Sequence, residues 1–249
     1  MYSLLLIPIL GWAGSSIVNY LADRLPVYRK ISPPICPVCN HPLSWQYYGL
    51  LGGCKHCDHK PGVRHKVVLF LGIFLSLLLV FFPPASLGVY GGLVWLVYFG
   101  LIVVIDVEHR LILHPVSLAG AVLGLIFGTL NHGILPTIIG GAAGFGIMLV
   151  LYFLGELFVR FLAKSRGEEI DEVALGFGDV NLAGVIGLLL GWPGITAGLI
   201  LAILIGGIVS GIFLVIQVIR KKYNAFQALP YGPFIVLSAV LLLFLADKI

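Results

Sequence analysis

The segment ALGFGDVNLAG, residues 174–184, sets one carboxylate, Asp179, behind two glycines, Gly176 and Gly178, at the start of an apolar run. From 180 to 192 every residue is apolar or small except Asn181. As a helix that stretch measures about 20 Å, short of the roughly 30 Å hydrocarbon core of a bilayer. Whether it crosses a membrane decides the topology of the chain, and the charges elsewhere give the answer.

The 249 residues are 59% hydrophobic and 10% charged, whereas soluble domains are about a quarter charged. The chain therefore reads as a membrane protein. Its first apolar run lacks a basic n-region and an A-x-A site, so it is expected to stay as a helix rather than be removed as a signal peptide. Eight candidate spans follow the hydropathy: 2–22, 67–83, 87–105, 115–130, 134–159, 173–192, 195–219 and 229–246. Basic residues of short loops stay on the cytoplasmic side. With eight spans, Arg24, Arg29, Lys30, Lys55, Lys60, Arg64, Lys66, Arg110, Arg160, Lys164, Arg166, Arg220, Lys221 and Lys222 all fall on that side, and only Lys248 lies opposite. If the sixth segment did not cross, the cluster at 220–222 would face outward. The segment is therefore expected to cross by recruiting 173–178, which brings Asp179 inside the membrane boundary. Asp106, closing the third span in LIVVIDVEHR, is then expected at the same cytoplasmic edge.

The predicted fold is an all-α polytopic membrane protein of about eight transmembrane helices, with both termini outward. It comprises a first helix (1–22), a small cytoplasmic module (23–66) and a membrane core (67–249) carrying both aspartates. The formal charge of +4 belongs to cytoplasmic loops, so no nucleic-acid partner is expected; the surrounding partner is lipid.

Ionisable groups at membrane depth are costly and by default functional. Asp179 also reads as a helix cap, and Asp106, beside Glu108 and Arg110, as a solvated helix-end charge. The glycines on either side of Phe177 favour the functional reading, because they permit positive φ or close approach of another backbone, which a cap does not need. Two carboxylates meeting at a wet membrane edge share one proton. The charged member activates water; the protonated member polarises a carbonyl and later protonates a leaving amine.

All four cysteines lie in CPVCNHPLSWQYYGLLGGCKHC, as two C-x2-C pairs fourteen residues apart. In a reducing compartment this spacing predicts a closed tetrathiolate zinc site built by Cys36, Cys39, Cys54 and Cys57, structural rather than catalytic. His41, His56 and His59 nearby read as surface residues. The acidic run GEEIDE, with Glu168, Glu169, Asp171 and Glu172, is either a solvated loop or a patch that steers a basic ligand. Glu156 and Arg160 are spaced for an ion pair within one helix. The glycine clusters IGGAAGFG and IGGIVSG read as close helix packing in lipid.

These features together resemble the type IV prepilin peptidases, aspartic membrane proteases of the GxGD type, over nearly the whole chain. SSIVNYLADRLP is similar to the family's first helix, the paired C-x2-C to its zinc module, GFGD to its signature and PYGPFIVLSAV to its last helix. The resemblance implies that Asp106 and Asp179 are the catalytic aspartates. It implies a bacterial inner-membrane enzyme with its site at the cytoplasmic face, serving type IV pili or protein secretion. The substrate would be a prepilin or pseudopilin whose short basic leader is cut after a glycine. Many members also methylate the new amine from S-adenosylmethionine. The chain departs from the family pattern in three places: Ile112-Leu113-His114 stands for Ile-Pro-Asp, Asn181 for a lysine, and Arg64-His65-Lys66 for Arg-Tyr-Pro. Both aspartates survive these departures, which bear on the methyltransferase instead, since no G-x-G-x-x-G follows a strand. The competing readings are another GxGD intramembrane protease, disfavoured by the cysteine module, and a proton- or cation-coupled transporter, disfavoured by the lack of an inverted repeat.

Overall fold

The computed structural model describes residues 2–166, 175–220 and 230–245. Among these there are nine helices and no strand: α1 (Tyr2–Tyr28), α2 (Gln46–Gly49), α3 (Val63–Phe81), α4 (Gly88–His109), α5 (His114–His132), α6 (Ile134–Arg166), α7 (Phe177–Leu190), α8 (Gly194–Ile219) and α9 (Gly232–Leu245). Five of them, α3, α4, α5, α6 and α8, are long and apolar enough to cross a membrane. The chain divides into two compact units, Met1–His109 and Arg110–Ile249, so Asp106 belongs to the first and Asp179 to the second.

In the first unit α1 packs against α2, α3 and α4. Small residues let α1 and α3 approach closely: a Cβ on Gly11 would lie 2.1 Å from Ser76 Oγ, and one on Gly72 would lie 1.7 Å from Ser15 Oγ. Such pairs take the place of hydrophobic driving force in lipid, where apolar side chains gain nothing by leaving one another's company. Hydropathy ends the first span at 22, yet α1 continues to Tyr28. Its extra turns are held by polar contacts: Tyr20 Oη donates to Ser32 O at 2.6 Å, Arg24 donates to Pro33 O, and the Arg24 guanidinium lies 5.0 Å over the Tyr28 ring.

In the second unit α7 packs against α5, α6, α8 and α9. Val180, Leu182, Ala183, Val185, Ile186 and Leu189 are all buried, and Asn181, Gly184 and Leu188 are half-buried on the remaining face, so α7 is apolar on most sides because it is enclosed on most sides. By contrast α8 exposes Ile200, Leu204, Ile208, Ile212 and Val215, a face suited to lipid. The expected sixth segment began at 173, but α7 starts only at Phe177, because Gly176 is extended (φ −77°, ψ 142°) and serves as its N-cap. Its 14 residues span about 21 Å. Residues 173–174 and the acidic run Glu168, Glu169, Asp171 and Glu172 lie outside the described residues.

The seam between α6 and α7 is made of glycines. A Cβ on Gly140 would sit 2.4 Å from Gly187 O, one on Gly187 would sit 2.2 Å from Gly140 O, and one on Gly144 would sit 2.3 Å from Ala183 O. Replacing Gly140 or Gly187 with leucine should therefore destabilise the protein by about 1–3 kcal/mol or more through overpacking. Gly146→Ala, at a position with nothing within 4 Å, should be neutral or mildly stabilising. Thermal unfolding in detergent distinguishes the three, and equal midpoints would contradict the seam. The second glycine cluster behaves differently: Gly206 meets Tyr231 and Phe234, while Gly207 and Gly211 face open space.

Candidate active site

Asp179 is the third residue of α7 and is buried, 8% exposed. Its Oδ2 accepts the Gly176 N–H at 3.2 Å, and its own N–H donates to Gly176 O at 3.0 Å. The N-cap is Gly176, not Asp179 as the cap reading supposed; the Asp179 carboxylate stands at N3, accepts the N-cap N–H and lies at the positive end of the α7 dipole. The glycines have a separate task. A Cβ on Gly178 would lie 2.8 Å from Ile112 Cβ, and one on Gly176 would lie 3.3 Å from Asp179 Oδ2. Neither glycine has positive φ; both are there for close approach. Phe177 between them sets its ring edge-on to Phe145 and Tyr152, at 6.4 and 6.0 Å. Tyr231, just ahead of α9, lies close enough to Asp179 for the two to interact electrostatically, and its ring packs on Phe234 at 6.1 Å. Sequence reasoning passed over Tyr231, although PYGPF was in view.

An open cavity of about 690 Å³ lies among α5, α6 and α7, with His114, Ser117 and Asn181 on its wall and Leu118, Phe145 and Leu188 beyond them. Two of the three departures from the family pattern, His114 and Asn181, thus line one cavity. Where the pattern that the chain resembles has an aspartate and a lysine, this chain sets a histidine and an asparagine.

In the first unit Asp106 is buried, 5% exposed, near the end of α4 and one residue after the buried Ile105. Its end of the unit is rich in polar contacts. Arg64, the second residue of α3, pairs with Asp23 of α1 and at 3.2 Å with Glu108 of α4. His65 Nε2 lies 3.1 Å from Asp23 Oδ2, and Asn19 Nδ2 donates to His65 O at 3.1 Å. Burial raises the Asp23 pKa, but the hydrogen bond from His65 and the charge of Arg64 more than offset it and hold the carboxyl below its usual range.

The four cysteine sulfurs lie within 4.8 Å of one another, with Cys36 to Cys57 at 3.5 Å and Cys39 to Cys54 at 3.6 Å. Four thiolates about 2.3 Å from one zinc ion stand roughly 3.8 Å apart, so the donor set fits zinc. The two knuckles repeat one design, Cys36-Pro-Val-Cys39-Asn40-His41 and Cys54-Lys-His-Cys57-Asp58-His59. In each, the first cysteine's N–H donates to the histidine carbonyl, and the residue after the second cysteine donates back to the first cysteine's carbonyl. That residue has positive φ, 57° at Asn40 and 55° at Asp58. Asn and Asp are the non-glycine residues best able to adopt it. The Cys36 thiol, despite burial that raises it, is brought down to about 6 by the N–H groups of Cys39 and Val38 and by neighbouring thiols. Behind the sulfurs Tyr20, Leu43, Tyr47 and Tyr48 form a small apolar cluster, and Trp12 Nε1 ties α1 to Gly49 O at 2.7 Å. His41 and His56 are exposed and stack edge to face at 4.0 Å, so they are surface groups and not ligands.

A polytopic helical membrane scaffold with one buried aspartate at a helix end in each unit defines a candidate membrane aspartic hydrolase. The chain is similar to the type IV leader peptidase family, whose profile matches residues 93–211, a range that includes both aspartates. It is similar to three proteins named prepilin leader peptidase/N-methyltransferase. Those from Aeromonas salmonicida (strain A449) and Legionella pneumophila are 27% and 28% identical, each alignment covering 86% of this chain and 72% of the relative. That from Aeromonas hydrophila is 26% identical, over 91% of this chain and 76% of the relative. No solved structure matches.

Proposed function

We propose that this multi-pass inner-membrane protein is a prepilin peptidase, a hydrolase that removes the leader of prepilins or pseudopilins with Asp106 and Asp179 as its acid–base pair. The observation that carries the proposal is that the family match contains two buried aspartates at helix ends, each fixed by its own unit. Neither needs a cofactor for the chemistry. One carboxylate takes a proton from water as it attacks the scissile carbonyl. The other, protonated, hydrogen-bonds the developing oxyanion, and the proton passes to the amine as the C–N bond breaks. The site faces the cytoplasm in the basic-loop topology. A zinc ion held by Cys36, Cys39, Cys54 and Cys57 orders the module and stays outside the reaction.

The relatives' name also carries an N-methyltransferase activity; methylation of the new amine from S-adenosylmethionine is included in the proposal on that name alone. The test is purified protein incubated with a prepilin whose leader ends in glycine, with and without S-adenosylmethionine. Mass spectrometry should show a cut after that glycine, and a further +14 Da only if the second activity is present. An intact substrate would overturn the peptidase reading.

Glu168, Glu169, Asp171 and Glu172 are proposed to steer the basic leader. Neutralising all four should raise KM and flatten the salt dependence of cleavage, since attraction between exposed charges is screened over about 10 Å at 0.1 M salt. With the dyad intact, kcat should hold. Unchanged KM and salt profile would leave the run merely solvated.

A further inference from the structure

The Arg64 guanidinium reaches two carboxylates on two different helices. It pairs with Asp23, near the end of α1, and with Glu108, near the end of α4, while itself opening α3. The Arg64 side chain is only 19% exposed, against 30% for Asp23 and 37% for Glu108. An exposed lysine–glutamate pair would be worth little. Here one planar fork closes three helices at a single point, a geometry that a point charge on a flexible stem does not reproduce.

The surroundings hold that fork in place. His65 is buried beside it, its Nε2 lying 3.1 Å from Asp23 Oδ2 and 2.9 Å from Arg64 Nη2, and its backbone carbonyl is taken by Asn19. The Tyr47 and Tyr48 rings of the cysteine module pack on the His65 imidazole, with centroids at 5.6 and 6.1 Å. Asp23 therefore has two side-chain partners, Arg64 and His65, but Glu108 has Arg64 as its single ion-pair partner among the described residues. Glu108 stands two residues beyond Asp106 on α4. Holding Glu108 fixes the depth and rotation of the last turn, on which Asp106 sits.

We propose that Arg64 is a positioning residue for Asp106: by binding Asp23 and Glu108 together it locks the end of α4 to α1 and α3 and so sets where the Asp106 carboxylate stands. The inference rests on the peptidase reading. It assigns a role to the first residue of Arg64-His65-Lys66, which that reading leaves unused. Displacing a reacting group by about 1 Å can cost on the order of 100-fold in rate, so the clamp need not touch substrate to matter.

The experiment measures kcat, KM and the pH–rate profile of full-length protein in detergent for wild type, Arg64→Gln, Arg64→Lys, Glu108→Gln, the Arg64→Gln/Glu108→Gln double variant and Asp106→Asn. Arg64→Gln should lower kcat about 10- to 100-fold, leave KM within about twofold and displace the limbs of the pH profile by about half a unit or more. Arg64→Lys, able to satisfy one carboxylate at a time, should recover part of the loss. Glu108→Gln, a change at a more exposed site that leaves the Asp23 contact whole, should move kcat and the profile in the same direction. The double variant should lose less than the product of the singles, because the two residues act through one contact. Wild-type kcat and profile in Arg64→Gln would overturn the proposal. So would a loss that only follows the amount of folded protein with the profile unmoved, or a Glu108→Gln variant indistinguishable from wild type. A wild type that does not cleave, or an Asp106→Asn variant that does, would instead bring down the peptidase reading, and the positioning role with it.

Discussion

Asparagine at Asp106 or at Asp179 is expected to reduce cleavage by a factor of about 100 to 10,000, the range that general acid–base groups supply, while leaving the protein inserted and folded. Asparagine keeps the volume of the buried side chain. At 179 its amide oxygen still accepts the Gly176 N–H that the carboxylate accepts now at 3.2 Å, so α7 should start where it does. What is lost is the capacity to exchange a proton with water and with the leaving amine. A helix cap alone would predict the opposite pattern, a change of stability with turnover preserved. Cleavage of a prepilin by each variant, normalised to protein that elutes as a single species, separates the two. Near-wild-type turnover in either variant would remove that aspartate from the mechanism.

Loss of the metal should have the second largest effect. Serine at Cys36, Cys39, Cys54 or Cys57 should take bound zinc toward zero, and protease should then cut the module that wild type protects. The module has little else to hold it: its apolar cluster is a handful of side chains around the sulfurs, whereas zinc contributes about 10 kcal/mol or more to folding in small modules of this type. Activity should fall indirectly, through the module's hold on α1 and His65, and not through any part for the metal in the chemistry. Metal analysis showing no zinc in wild type purified without chelator would contradict the assignment.

The comparison of sequence with structure separates local signals from distant ones. Cysteine pairs with two residues between them, basic residues at the ends of apolar runs, and glycines ahead of a lone aspartate carry their meaning within a few residues, and the structure has helices where the apolar runs predict them. Helix ends were less legible, for physical reasons. Hydropathy stops α1 at the first charges, but Asp23 and Arg24 stay helical because Arg64 and Pro33 O satisfy them. Hydropathy also draws the segment around Asp179 back to 173, but extended Gly176 starts α7 at Phe177. The polar clamp was invisible: Arg64 meets partners 41 and 44 residues away, and no periodicity records such a pairing. The meeting of His114 and Asn181 on one cavity is of the same kind, since α5 and α7 bring together positions 67 residues apart in sequence. Tyr231 lies near Asp179 only through the packing of α9 on α7, 52 residues further along the chain.

The central claim is that Asp106 and Asp179 act as one acid–base pair on a prepilin. The most direct test is the residual cleavage rate of Asp106→Asn, Asp179→Asn and the double variant, measured on the same substrate under single-turnover conditions. Groups that work as a unit are strongly non-additive, so the double variant should be about as slow as the slower single variant. Losses that multiply, with the double variant slower by the product of the two, would show two independent contributions and contradict the pair.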